Sequence, residues 1–363
     1  MENTNKFLTK NRQRQKNLSD ILNYIVEKGE TTRREIERET GFSWGAVSDS
    51  VAELISRGYL CEVMPEKKNV GRTSSQLKLC GDNIASIGID INITGICARV
   101  IGFDLTKKWT KTIPVMASNE EEILDSSLQI CEEAIEHCKG KYRVLSLGVA
   151  IQGRVDAECG ISEHFPGFPE WQPVNIKELF EEKFGIFTVV EHDPKCLLFA
   201  KCAGWKMRDA MLLRLDNGIG LSVIQDGRIL NDFGRMEIGH TVAVKDGDLC
   251  ACGRRGCLEA YSAIPGVERR KGKKISELLS KSDYSEACYH LALAVYNVSM
   301  LFAPQKIILT GALAECEPYV LCLKDELSSY DCFESEIEVD NNISAAFGAA
   351  LLSIKKAIKT NII

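Results

Sequence analysis

The chain has no apolar run approaching the ~20 residues that a membrane-spanning helix requires. Its opening stretch, MENTNKFLTKNRQRQKN, also lacks the apolar core of a secretory leader. A cytoplasmic protein with no membrane partner is the expectation. A regular cysteine framework is missing too. Fifteen cysteines, an odd number, are scattered over 363 residues without a repeat, which points to reduced thiols rather than disulfides. No charge sign dominates: the net charge is −6, with 26% charged and 45% hydrophobic residues, as in ordinary globular domains. The length suffices for two or three domains that each bury a core.

The charge is distributed unevenly. Residues 1–80 carry 14 Lys+Arg against 11 Asp+Glu, which leaves 31 against 40 in the remainder. A mildly basic head on an acidic body suits a small DNA-binding module joined to a domain that does not touch DNA. The head has the required periodicity. In LSDILNYIVEKG the apolar positions Leu18, Ile21, Leu22, Ile25 and Val26 have helical spacing, and Gly29 ends the run. TTRREIERETG opens on a threonine cap, turns Ile36 inward and closes at Gly41. A third helix follows, capped by Ser43 and buried along Val47, Val51, Leu54 and Ile55. Three helices with a tight glycine turn between the last two describe a helix-turn-helix. Two short strands within CEVMPEKKNVGRTSSQLKLC add a wing. The third helix of such a module enters the major groove, so Ser43, Trp44, Gly45, Ser48 and Asp49 are the candidates to meet DNA, with Arg72 at the wing reaching phosphates or a minor groove.

The densest chemistry lies in EIGHTVAVKDGDLCACGRRGCLE, Glu237 to Glu259. His240, Cys250, Cys252 and Cys257 supply the thiolate and imidazole set that tetrahedral zinc prefers. Gly253 and Gly256 let the backbone turn sharply enough to bring Cys257 back to the same ion. Four protein ligands leave no open coordination position, so such a zinc is structural. A histidine with one ring nitrogen on the metal can offer its other N–H to a ligand hydroxyl. Glu237 and Glu259 stand close in sequence to accept from vicinal hydroxyls, which suits a polyol or sugar.

This segment resembles the zinc motif of the ROK family (repressors, open reading frames and kinases), in which a G-H pair precedes C-x-C-G-x-x-G-C-x-E. In that family the matching glutamates and histidine bind a sugar. From Ala85 onward, strands and helices alternate. For this body the resemblance implies the α/β, ribonuclease-H-like (actin/hexokinase-type) two-lobed sugar-kinase fold. The expected division is a winged helix-turn-helix over 1–80 and a sugar-binding domain over 81–363, with lobes of about 81–195 plus 344–363, and 196–343. EHDPKCLLFA matches the family's E-N-D-A segment and places Asp193 at the position of its general base, with His192 in place of asparagine. Gly153 and Trp171 fall where family members have a G-x-V-D turn and a ligand-proximal tryptophan.

The phosphate turns depart from the family. A D-x-G-x-T turn reads Asp90-Ile91-Asn92-Ile93-Thr94, a G-T-G-x-G turn begins at Asp216, and a glycine pair reads Thr310-Gly311. A carboxylate beside polyphosphate is repulsive, most of all in a desolvated cleft. The expectation is therefore a non-enzymatic, sugar-responsive transcriptional regulator, a repressor, with operator DNA and a sugar or sugar phosphate as partners and a homodimer or homotetramer as its assembly. The alternative is an active ATP-dependent ROK sugar kinase with an added DNA-binding domain.

Overall fold

A computed structural model describes residues 2–64, 75–116, 119–202, 207–230, 236–360 and 362. The chain divides into two compact units, Met1–Trp205 with Ala345–Ile363, and Lys206–Ser344.

The first unit begins with three helices, α1 (Glu2–Lys28), α2 (Arg33–Thr40) and α3 (Trp44–Ser56). Their ends follow local chemistry. Thr32 and Glu35 form a reciprocal capping box on α2, Gly41 closes it in the left-handed region, and Ser43 caps α3 by accepting from the Ala46 N–H at 3.4 Å. Strands β1 (Leu60–Val63) and β2 (Gln76–Leu79) then pair antiparallel. The expected buried stripe is present except at Ile55, which is half-buried, while Ser50 is buried. Arg72 lies outside the described residues.

Next come β3 (Ile84–Asn92), β4 (Gly95–Gly102), β5 (Lys107–Pro114), α4 (Glu120–Cys138) and β6 (Arg143–Ile151). A small three-stranded sheet follows, made of β7 (Arg154–Asp156), β8 (Ile161–His164) and β9 (Val174–Asn175). After it lie α5 (Ile176–Phe184), β10 (Thr188–His192) and α6 (Asp193–Lys201). The main sheet has the order β10-β6-β3-β4-β5, with β3, β6 and β10 parallel and β4 and β5 antiparallel to their neighbours. The C-terminal helix α12 (Ala345–Lys359) returns to cover it. Side-chain-free positions permit this close packing: a Cβ on Gly88 would stand 1.7 Å from the Ala346 carbonyl oxygen, and one on Gly348 would stand 1.8 Å from that of Cys196 in α6.

The packing does not break at residue 80. One hydrophobic cluster joins Leu18, Ile21, Ile25, Val51 and Leu60 of the helical head to Phe103, Leu145, Ile354 and Ile358 of the lobe. Polar contacts reinforce this junction. The Ser19 hydroxyl donates to the Ile358 carbonyl, Arg143 donates to the Tyr59 hydroxyl at 2.9 Å, and Lys355 pairs with Glu27 at 3.4 Å.

The second unit repeats the sheet plan. Strands β11 (Ala210–Leu215), β12 (Ile219–Gln225) and β13 (Arg228–Ile229) form an antiparallel meander, and β14 (Lys306–Thr310) and β15 (Glu336–Val339) extend it in parallel, giving the order β13-β12-β11-β14-β15. Numbered from the start of each unit's sheet, both run in the sequence 3-2-1-4-5, so the ribonuclease-H-like pattern occurs twice. Helices α7 (Glu259–Ser262), α8 (Ile264–Lys271), α9 (Lys281–Phe302), α10 (Ala312–Glu315) and α11 (Glu317–Ser328) complete the unit. No helix among the described residues is long and apolar enough to cross a membrane.

Candidate functional site

The segment from Thr241 to Leu258 doubles back on itself through bridges at Val242–Cys257 and Leu249–Arg255. Gly256 makes this possible, because its φ is +77° and a Cβ there would lie 1.7 Å from the Val244 carbonyl oxygen. The fold gathers His240, Cys250, Cys252 and Cys257 so that their ligand atoms all lie within 4.8 Å of one another. Cys252 Sγ is 3.7 Å from Cys257 Sγ, and Cys250 Sγ is 3.8 Å from His240 Nδ1. A tetrahedral ion with metal–sulfur bonds of ~2.3 Å separates its sulfurs by about 3.8 Å, so the spacing fits a metal ion. Burial pushes the Cys250 thiol up to about 12, a proton cost that metal coordination would offset.

Beside the cluster, Glu259 begins α7 and is half-buried. Burial raises its pKa above the ordinary carboxylate value. His240 and the Ile219 N–H work against that shift, and the like charge of Glu237 adds to it. Glu237, His240 and Glu259 thus lie close enough in this unit for their charges to act on one another. Gly239 keeps the approach open, since a Cβ there would lie 3.1 Å from Glu259 Oε2.

In the first unit, Asp193 is the first residue of α6 and only 1% exposed. It is not the helix cap that an aspartate before CLLFA often forms. His192 occupies the cap position and makes no side-chain cap bond. His192 Nε2 lies 3.4 Å from Asp193 Oδ1, and the His192 N–H donates to buried Glu191 at 3.1 Å. Glu191 also pairs with Lys195 at 2.8 Å. Glu191 and Lys195 carry no motif of their own, and their pairing one turn apart becomes informative only with Glu191 buried and Lys195 half-buried at the start of α6.

In the turns at Asn92, Ile219 and Gly311, side-chain oxygens of the chain accept from backbone N–H groups. Asn92 Oδ1 accepts from the Thr94 N–H at 3.0 Å, the Gly95 N–H at 3.1 Å and the Thr94 hydroxyl at 2.6 Å. The side-chain oxygen of Gln152 accepts from the Ile93 N–H at 3.1 Å. In the second turn Glu259 Oε2 accepts from the Ile219 N–H at 3.2 Å, and Asp216 faces Arg214 at 3.4 Å. At the third, Asn341 Oδ1 accepts from Thr310 Oγ1 at 3.1 Å and the Gly311 N–H at 2.9 Å. Gln152 and Asn341 lie 59 and 31 residues from the groups they hold, too far for a local motif to reveal them.

Two weaker site candidates have structural roles here. Trp171 is buried, stacks on Phe165 at 5.0 Å and donates to the Ser162 carbonyl at 3.4 Å, so it packs the lobe. Gly153 has φ +97°, and a Cβ there would meet the His164 carbonyl oxygen at 2.1 Å. On the head, Ser43, Trp44, Gly45 and Asp49 are exposed at the start of α3, Ser48 is half-buried, and Trp44 keeps 48% of its surface open to solvent.

A winged helix-turn-helix fused to a body with two ribonuclease-H-like sheets is the build of a DNA-binding regulator that carries a sugar-kinase-type fold. Comparison with known proteins makes this specific. Residues 86–356 match the ROK family model, and residues 14–60 match a winged helix-turn-helix DNA-binding model. The chain belongs to the ROK family. It is 26% identical over 342 residues to the DNA-binding transcriptional dual regulator NagC of Escherichia coli K12, covering 85% of this chain and 83% of that one. It is 22% identical over 330 residues to the xylose repressor of Bacillus spizizenii, covering 85% of each. A third relative, the uncharacterized protein YphH of Escherichia coli K12, is 27% identical over 263 residues, and the match spans 69% of this chain and 64% of that protein. Among solved structures, a ROK family transcriptional regulator described as a homolog of Escherichia coli MLC superposes with a TM-score of 0.80 at 18% identity, covering 96% of this chain and 97% of that one. A ROK glucokinase from Streptomyces griseus, in complex with glucose and AMPPNP, has a TM-score of 0.63 at 20% identity, covering 75% of this chain and 99% of that chain.

Proposed function

We propose that the chain is a sugar-responsive transcriptional repressor that reads operator DNA with α3 and the wing and binds a carbohydrate or sugar phosphate in its ROK body, without phosphorylating it. The observation that carries this is the state of the phosphate turns. Amides that would face phosphate in a kinase are already bonded to Asn92, Gln152, Glu259 and Asn341. Opening them costs hydrogen bonds that polyphosphate would have to replace, and Asp216 adds a like charge. The groups suited to sugar hydroxyls, Asp193 in one unit and Glu237, His240 and Glu259 in the other, are retained. With no phosphoryl donor, Asp193 accepts from a hydroxyl instead of removing its proton. The relatives named as N-acetylglucosamine and xylose repressors support the sugar class.

In this proposal the His/Cys cluster holds one structural zinc through His240, Cys250, Cys252 and Cys257, which leaves the second imidazole nitrogen of His240 to a ligand hydroxyl. The repressor acts in the cytoplasm as a homodimer or homotetramer, since paired half-sites need paired heads. A thermal-shift screen of sugars and sugar phosphates tests the ligand, because a compound that binds only the folded state raises its stability. Coupled assays with MgATP test the missing chemistry: turnover is expected at background, and phosphorylation at ~1 per second or faster would establish the kinase instead.

A further inference from the structure

The zinc loop and the short helix that carries Glu259 are tied together by a second group of residues, none of them a ligand candidate. Asp248 lies two residues before Cys250 and uses three groups at once. Its backbone N–H donates to the Tyr261 hydroxyl at 2.8 Å, its carbonyl accepts from the Gly256 N–H at 2.8 Å, and its carboxylate accepts from Arg270 at 2.7 Å and from Arg269 at 3.5 Å. Tyr261 is two residues beyond Glu259, on the same turn of α7, and is 4% exposed. The Arg270 guanidinium lies 4.8 Å from the centre of the Tyr261 ring and is held on α9 by Glu286, with one bond at 2.9 Å. His290 packs against the same ring at 4.8 Å. Arg269 donates to the Ala260 carbonyl at 2.8 Å. Gly247 is required where it stands, since a Cβ there would lie 2.1 Å from the Tyr261 hydroxyl.

We infer that Asp248, Tyr261 and Arg270 form a positioning knot that fixes the zinc loop to α7, so that the metal ligands and Glu259 move as one body; this rests on the structural zinc and the adjoining sugar site proposed above. The physical reason lies in the composition of the loop. From Thr241 to Leu258 its buried residues are few, with Val242 and Leu249 both exposed, so apolar packing alone cannot hold it. Tyr261 supplies the missing anchor: a rigid ring fixed by a cation above it, with a hydroxyl that accepts from the segment leading to Cys250. Groups that orient the ligands of a metal site change its affinity by roughly 10–100-fold. Cysteine and histidine spacing gives no hint of this, because Arg270 and Tyr261 lie outside the motif.

Tyr261→Phe in the full-length protein removes only the hydroxyl and keeps the ring under Arg270. The expected results are faster amide exchange across residues 245–258 and transfer of zinc to the chelator 4-(2-pyridylazo)resorcinol about 10-fold faster or more. Arg270→Lys keeps the charge, loses the planar fork, and should act in the same direction. Tyr289→Phe, on the exposed tyrosine of α9, should leave both readouts at wild-type values. Exchange of 245–258 unchanged in both Tyr261→Phe and Arg270→Lys would overturn the knot, whether or not metal is present. Protein that takes up no zinc would overturn the metal assignment alone, and exchange would still decide the knot.

Discussion

At the scale of single residues, side-chain oxygens hold backbone N–H groups in three turns of the body. Asn92, at a position that the family resemblance gives to glycine, turns its own carbonyl onto two successive N–H groups, which in the function proposed above a phosphate would have to displace. Asn92→Gly combined with Asp216→Gly should therefore give measurable MgATP binding where the wild type gives none, as followed by calorimetry. A double variant that stays silent would show that the turns are not what blocks the nucleotide. Cys252 is the exposed member of the His/Cys cluster, so replacing it disturbs little packing. Cys252→Ser should reduce zinc from about one ion per chain to a small fraction, by metal analysis, and weaken sugar binding in parallel, because His240 loses its fixed orientation. Retention of full zinc by that variant would contradict the four-ligand assignment.

At the scale of elements, α12 matters most to the first unit, because it packs on the sheet and on α6 along one stretch and on the helical head along another. Shortening Ile354 to Ala should cost ~2–4 kcal/mol of unfolding free energy, measured by urea titration, and should lower operator affinity as the head loses its base. An unchanged urea midpoint would mean that the head does not depend on that core. Lys355, on the same helix, has a pKa pushed below its ordinary value of 10.5, chiefly by burial, with Glu27 partly opposing. A lysine lowered in the folded state is disfavoured when charged, so folding carries a penalty at neutral pH that fades as pH rises toward and past 10.5. Lys355→Met should accordingly raise Tm by ~1–3 °C at pH 7.5, with the gain shrinking above pH 10. A fall in Tm would mean that the Glu27 pair and the position of the Lys355 ammonium over the Phe199 ring, 5.2 Å from its centre, outweigh desolvation.

At the scale of the whole molecule, the proposed division of labour gives DNA contact to the head and sugar contact to the body, with the effector acting by a change in geometry. Such an effector must bind two arrangements with unequal affinity, since equal affinity shifts nothing. Glu259→Gln should weaken the response to sugar while leaving operator affinity in its absence nearly unchanged. Trp44→Ala, at the exposed start of α3, should lower operator affinity with or without sugar. Operator titrations over a salt series separate the two effects, and loss of DNA binding by the Glu259 variant without sugar would refute the division of labour.

The helices of the head were legible because caps, glycine stops and apolar spacing are local: Thr32, Gly41 and Ser43 sit where their backbone roles require. The alternating strands and the His/Cys cluster could be found for the same reason, each being a pattern within a short window. Helix α6 shows the limit, because EHDPKC fixes where Asp193 begins a helix but not that buried Glu191 pairs with half-buried Lys195 one turn on. Contacts between remote segments followed no local rule. Gln152 reaching Ile93, Asn341 reaching Gly311 and the head sharing a core with a helix more than three hundred residues away all depend on which strands and helices each unit packs together. Sequence by itself determined the elements, the ligand-rich loop and the family. Tertiary structure alone decided which backbone N–H groups are held by remote side chains, because hydrogen bonds and burial depend on distance in space rather than along the chain.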